Sequence, residues 1–175
     1  MSKWSVGFGL LTVLGLVAGC GQSQTNLTSK FMTVDSSNQS VTLNVTGSYS
    51  QTNDYMNFDG YANGGMTITV PLGYKVTIHY YNNGGIPADI GIYNNKNELA
   101  FQGAGDSIND ISLNPQAGIL PSTSETVTFT ANSAGTFKLA NFENYFPQVK
   151  SHFQDVGMWD WFKVVQSGTP SISAS

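Results

Sequence analysis

Seven short segments in which apolar residues recur at every second position constrain this chain more than any other feature. They are Val41–Val45, Met66–Val70, Lys75–Tyr80, Ile90–Tyr93, Glu125–Phe129, Thr136–Leu139 and Trp161–Val165, rich in Val, Ile, Thr, Tyr and Phe. A period of two places alternate side chains on opposite faces of an extended strand, so one face of each segment is turned inward. Pro71-Leu72-Gly73 and Ala131-Asn132-Ser133-Ala134-Gly135 supply turns between them. Helical periodicity is scarce from Phe31 onward, and neither an internal repeat nor a second domain is visible. The pattern predicts an all-β sandwich or barrel.

Two stretches interrupt the alternation. Glu98–Leu120, with Gly103-Ala104-Gly105-Asp106 and Pro115, reads as a long crossover between the halves of the sheet. Asn141–Met158 carries Phe142, Tyr145, Phe146, His152 and Phe153 between two strands. A loop that aromatic is packed down or used for recognition.

The N-terminus reads as an export signal. Lys3 precedes an uncharged apolar run from Trp4 to Ala18, shorter than the roughly 20 residues a spanning helix needs. The run closes on Leu16-Val17-Ala18-Gly19-Cys20, a lipobox-like sequence whose cysteine is the only one in the chain. Residues 1–19 are therefore expected to be a lipoprotein signal peptide and Cys20 the lipidation site. Residues 20–38 form the lipid anchor and tether, 39–166 the domain, and 167–175 a disordered tail, Gln22–Lys30 being rich in Ser, Thr and Gln and Ser167–Ser175 in Ser with Thr and Pro. Lipid on Cys20 anchors the protein outside the cytoplasm, on the outer face of the cytoplasmic membrane or on the outer membrane.

Charge narrows the partners. Only 10% of residues are charged and the net charge is -4, so no basic footprint for nucleic acid is present. The low charge suits an acidic habitat. Once Cys20 carries lipid, no cysteine remains to form a disulfide.

The order of segments from about Val41 to Val165 resembles sulfocyanin, a membrane-associated blue copper family of the cupredoxin fold. The matching pieces are Met56–Gly60, Met66–Val76 with its Pro71-Leu72-Gly73 turn, Gly85-Ile86-Pro87, Ala100–Ala104, Ala117–Pro121, Val127–Ala131, Ala134–Phe137 and Gly157-Met158-Trp159. Each is common alone, whereas eight in the same order are specific. The resemblance implies an all-β, cupredoxin-like Greek-key sandwich with a metal site at one end and, in the family, a one-electron carrier role.

A blue copper centre needs two imidazoles and a thiolate, with a weak axial ligand. The resemblance puts Ala88, next to Asp89, at the first His position and Asn141 at the Cys position. The parity of Asn141 with Phe137 and Leu139 turns it inward. The fifth position after Asn141, where the family has its second His, is Phe146, while His152 comes eleven after it. The loop is about seven residues longer than the family's. His152 and Met158 therefore resemble the second His and the axial Met, at a spacing of six where the family has five. Two of three strong ligands are replaced, and no second cysteine exists to substitute.

The expected result is a degenerate copper site, with no cofactor. The alternative is a non-blue site of Asp89, Asn141, His152 and Met158 that binds copper and carries electrons or copper. His79 lies on the opposite face of its strand, toward solvent. Trp159 and Trp161 read as packing residues. Asp155, Asp160 and Glu143 match no catalytic motif, so an enzyme is not expected. The function read from the sequence is a binding or accessory role beside a respiratory or copper-handling partner. Phe142, Tyr145, Phe146 and Phe153 are its candidate contact residues. A purely structural surface lipoprotein is the third alternative.

Overall fold

The computed structural model describes residues 22–105, 118–146 and 151–175, excepting the side chains of 22–26 and 144–146. The signal, Cys20, and Asp106 and Pro115 of the crossover lie outside the described residues.

Among the described residues, eleven strands follow one α-helix, α1 (Gln22–Phe31). They are β1 (Met32–Asp35), β2 (Ser40–Gly47), β3 (Met66–Pro71), β4 (Lys75–Asn82), β5 (Gly91–Tyr93), β6 (Ser124–Thr130), β7 (Gly135–Ala140), β8 (Asn144–Phe146), β9 (Ser151–His152), β10 (Trp159–Val165) and β11 (Ser171–Ala174). One sheet has the order β1-β2-β4-β6, the other β11-β3-β10-β7-β5, and β8-β9 form a separate hairpin. The pairs β2–β4 and β3–β10 are parallel, so each sheet is mixed. The expected all-β cupredoxin-like sandwich is the observed one, with all seven alternating segments among its strands.

Alternation explains the core. On β4, Val76, Ile78 and Tyr80 are buried while Lys75, His79 and Tyr81 are exposed, and His79 Nδ1 lies 3.0 Å from Thr126 Oγ1 across the strand pair. Val41, Leu43 and Val45 of β2 and Ile68, Val70, Phe162 and Val164 of β3 and β10 join the same core. Each such side chain contributes about 1.5–3 kcal/mol on burial. Phe129 on β6 and Phe162 on β10 meet at 5.8 Å between ring centroids, with Phe101 stacked on Phe129 at 5.2 Å. This aromatic cluster joins the two sheets through rings from three parts of the chain.

Both predicted flexible flanks are folded in. The tether contains α1, whose Leu27 and Phe31 lie four apart on one face and pack on the core, and β1, which pairs with β2. Two apolar residues among ten give little helical signal; packing rather than propensity holds this helix. The tail contains β11, paired with β3 and burying Ile172. Thr28 Oγ1 accepts a bond from Ile172 N–H at 2.8 Å, so the two flanks hold each other on the edge of the second sheet.

Candidate functional site

At one end of the sandwich, the loops after β2, β4, β7 and β9 converge on Asn141. It is the first residue beyond β7 and is fully buried. Its Oδ1 accepts bonds from Asp89 N–H at 3.0 Å and Glu143 N–H at 2.9 Å, and its Nδ2 donates to Met158 Sδ at 3.3 Å. The backbone adds Asn141 N–H to Met158 O and Gln154 N–H to Asn141 O. Both acceptor sites of the carboxamide oxygen are thereby used. Asn141 ties three loops together through one side chain.

Ala88 reaches the same place by a different route. It forms an isolated bridge with Ile119, N–H to O in both directions at 3.1 and 2.7 Å. The preceding turn is held by buried Asn82, whose Nδ2 donates to Ile86 O and Ile119 O while its Oδ1 accepts from Gly84 N–H. Met158 arrives through Gly157, whose φ of 101° closes the short 3-10 turn Phe153–Val156. That left-handed conformation favours glycine, and a Cβ there would stand 2.6 Å from Asn63 Oδ1.

Of the four residues expected as a metal set, the structure brings Asn141 and Met158 into contact and turns the other two away. His152 Nδ1 lies 2.7 Å from Phe142 O; a carbonyl only accepts, so Nδ1 carries the proton. The His152 ring sits beside Phe142 at 5.5 Å between centroids. Asp89 shares only its backbone with Asn141. Its carboxylate accepts from Tyr93 OH at 2.7 Å and Phe142 N–H at 3.4 Å. Burial pushes the Asp89 carboxyl up to about 7; those hydrogen bonds oppose the shift and the Glu143 charge adds to it.

The residue that shares the pocket with Ala88, Asn141 and Met158 is Phe153 rather than His152. Phe153 stands five positions before Met158, which is the His-to-Met spacing of the family. The sequence reading chose the nearest histidine, and the chain places its neighbour. Phe142 and Phe153, expected to contact a partner, are buried. Phe142 packs on Tyr93 at 4.2 Å between ring centroids. Tyr145 and Phe146 belong to β8, and their side chains lie outside the described residues.

Type 1 copper requires two imidazoles and a thiolate. The four pocket positions provide one thioether, one carboxamide with its oxygen already engaged, a methyl group and a phenyl ring. That donor set does not fit type 1 copper. Among the described residues no three His, Cys, Asp or Glu side chains group closely enough to hold a metal ion.

Above these four residues lies a cavity of about 430 Å³. Its far wall is the loop after β2, where Asn53, Asp54 and Tyr55 adopt φ of 50°, 51° and 68° in succession. Asn53 Nδ2 fastens the loop to Met56 O and Val156 O, both at 2.8 Å. Asn57 Nδ2 fastens it to Ser50 O and Thr52 O at 2.8 and 2.7 Å. The sequence reading used Met56–Gly60 of this loop for the family resemblance and gave Asn53–Tyr55 no role. The Asn53-Asp54 pair was the available signal, since these two types tolerate left-handed backbone best after glycine.

A family model described as the sulfocyanin (SoxE) domain matches residues 28–171. No curated protein matches the sequence. Among solved structures, the multicopper oxidase mgLAC is 24% identical, over 62% of this chain and 31% of its own, with a TM-score of 0.46. The blue copper oxidase from Nitrosomonas europaea is 23% identical, over 65% of this chain and 32% of its own, with a TM-score of 0.46. Reduced auracyanin from the photosynthetic bacterium Roseiflexus castenholzii is 20% identical, over 71% of this chain and 96% of its own, with a TM-score of 0.44. The match spans about a third of the length of the two oxidases.

Proposed function

Because the chain belongs to the sulfocyanin (SoxE) domain family, we propose that it is an extracytoplasmic, lipid-anchored cupredoxin-domain protein that lacks type 1 copper. It acts as a binding or accessory protein for a partner on the same membrane face, in a respiratory or copper-handling system, and not as an enzyme. One observation carries this reading: Ala88, Asn141 and Phe153 stand with Met158 around the pocket. An Asn already bonded to two backbone N–H groups is built to hold loops. A one-electron carrier needs a redox centre, and these side chains offer none.

The anchor assigned to Cys20 is supported by the Leu16–Cys20 sequence. No helix among the described residues is long and apolar enough to cross a membrane. Two or more acyl chains on Cys20 give stable attachment where one gives only marginal binding.

The test is the full chain extracted from its native membrane in an uncharged maltoside detergent. Metal analysis and titration with Cu(II) and Cu(I) are expected to find no stoichiometric copper and no intense visible absorption. Mass spectrometry of the N-terminal peptide is expected to find diacylglycerol on Cys20. Copper bound one to one and lost in His152→Ala overturns the copper-free reading; an unmodified Cys20 overturns the anchor.

A further inference from the structure

We propose that the cavity over Ala88, Asn141, Phe153 and Met158 is a binding site for a small organic cation with an apolar body. This rests on the copper-free reading of the same end of the domain.

The cavity has the size and chemistry of a ligand site. Its roughly 430 Å³ falls within the range of about 300–1,000 Å³ that small-molecule pockets occupy. Ala88, Phe153 and Met158 make an apolar floor, and Met56 and Ile86 an apolar wall. The two buried amides that line it are committed to the scaffold: Asn82 bonds Ile86 O and Ile119 O, and Asn141 bonds Met158 Sδ. The floor therefore presents carbon and sulfur.

Charge decides what enters. Asp54 and Tyr55 stand together at the rim, both exposed, Tyr55 at 49%. Among the described residues Asp54 is the only charged side chain lining the cavity, and no Lys, Arg or His lines it. A carboxylate and an aromatic ring lining the same cavity can each attract a cation, one by charge and the other by the ring quadrupole. An anion would meet Asp54 with no compensating positive group among the described lining residues.

The rim is held in place against its own backbone preference. Three successive non-glycine residues, Asn53, Asp54 and Tyr55, have positive φ, at a cost of about 1–2 kcal/mol per residue that Asn and Asp bear most easily. Backbone of this kind persists where surrounding contacts over-determine it, and it concentrates at ligand clamps. Here the Asn53 and Asn57 carboxamides supply those contacts. Among the described residues, the strained turn carries the one charge and the one exposed aromatic ring that line the cavity.

The experiment uses the full chain in uncharged maltoside after chelation, with copper content measured beforehand. Calorimetric titrations compare benzyltrimethylammonium, benzyl alcohol and benzylsulfonate, which share an apolar body and differ in charge. The expected result is binding of the cation roughly tenfold or more tighter than the alcohol or the sulfonate. Asp54→Asn, which retains tolerance of left-handed backbone, is expected to reduce the cation to the affinity of the alcohol and leave the alcohol unchanged. Ala88→Leu fills the floor and is expected to abolish binding of all three; the Asp54→Asn comparison stands even where Ala88→Leu does not fold. Absence of cation binding by copper-free protein, a sulfonate or alcohol bound as tightly as the cation, or a cation preference that survives Asp54→Asn overturns the inference. Copper that resists chelation at one equivalent instead overturns the copper-free reading beneath it.

Discussion

Asn141 donates from Nδ2 to the thioether of Met158 at 3.3 Å, joining the strand exit of β7 to the entry of β10 over a sequence separation of 17 positions. The same carboxamide receives Asp89 N–H and Glu143 N–H. Asn141→Ala would leave both donors buried without that acceptor, each costing about 1–3 kcal/mol. We expect a loss of about 2–5 kcal/mol in urea unfolding, with Asn141→Asp partly preserving stability because its oxygens still accept. An alanine variant as stable as the wild type would mean the carboxamide is not the tie.

The geometry also specifies which substitutions rebuild a blue copper set. Ala88→His, Asn141→Cys and Phe153→His together put two imidazoles and a thiolate around Met158, as the trigonal site requires. The triple variant is expected to develop intense visible absorption on addition of Cu(II). The double variant that keeps Phe153 and relies on native His152 is expected to stay colourless, because His152 Nδ1 is held by Phe142 O at 2.7 Å. Colour in the double variant alone would reassign the position to His152.

The seven alternating segments were legible because strand burial has a period of two, visible within five or six residues. The inward placement of Asn141 followed from the same parity, two residues beyond Leu139. The exchange of His152 for Phe153 was not legible. The loop is longer than the family's, and counting forward from Asn141 reaches neither residue, whereas counting back from Met158 reaches Phe153. The flanks failed for another reason. Ser, Thr and Gln composition predicts flexibility, but one buried Ile172 and the pair Leu27 and Phe31 suffice when an open sheet edge supplies the hydrogen bonds. The strained turn at Asn53–Tyr55 depends on Asn57 and on Val156 O from a distant loop, which no local pattern encodes.

Gly157 offers a sharper test of how Met158 is delivered. Its φ of 101° is disfavoured for any residue with a Cβ, and that atom would meet Asn63 Oδ1 at 2.6 Å and Asn53 Nδ2 at 2.8 Å. Gly157→Ala therefore strains the backbone and displaces the amide that fastens the left-handed turn. We expect destabilisation above about 1 kcal/mol, together with faster amide exchange in residues 53–56. Destabilisation without faster exchange there would separate the cap from the turn.

Three buried aspartates give the domain a pH dependence of defined sign. Burial is the leading cause that pushes Asp59, Asp89 and Asp160 from 3.8 up to about 7. Asp59 is opposed by its bond from Thr46 N–H and by the Lys30 charge, and Asp160 by its bond from Met66 N–H, with the Asp59 charge adding to the rise. Asp59 Oδ2 and Asp160 Oδ2 find no hydrogen-bond partner among the described residues, consistent with groups that fold protonated. A carboxyl whose folded pKa exceeds its unfolded value stabilises fully below about pH 4 and loses that contribution as pH rises through about 7. Exposed Asp35 runs the other way: hydrogen bonds from Ser37 and Asn38 lower it to about 2, so its contribution fades only in stronger acid. The melting temperature is therefore expected to be highest near pH 4 and to fall steadily to pH 7, by up to several kcal/mol of unfolding free energy. Asp160→Asn should flatten the slope, since it removes one of these protons. A melting temperature that rises between about pH 4 and pH 7 would mean that these carboxyls are charged in the folded domain.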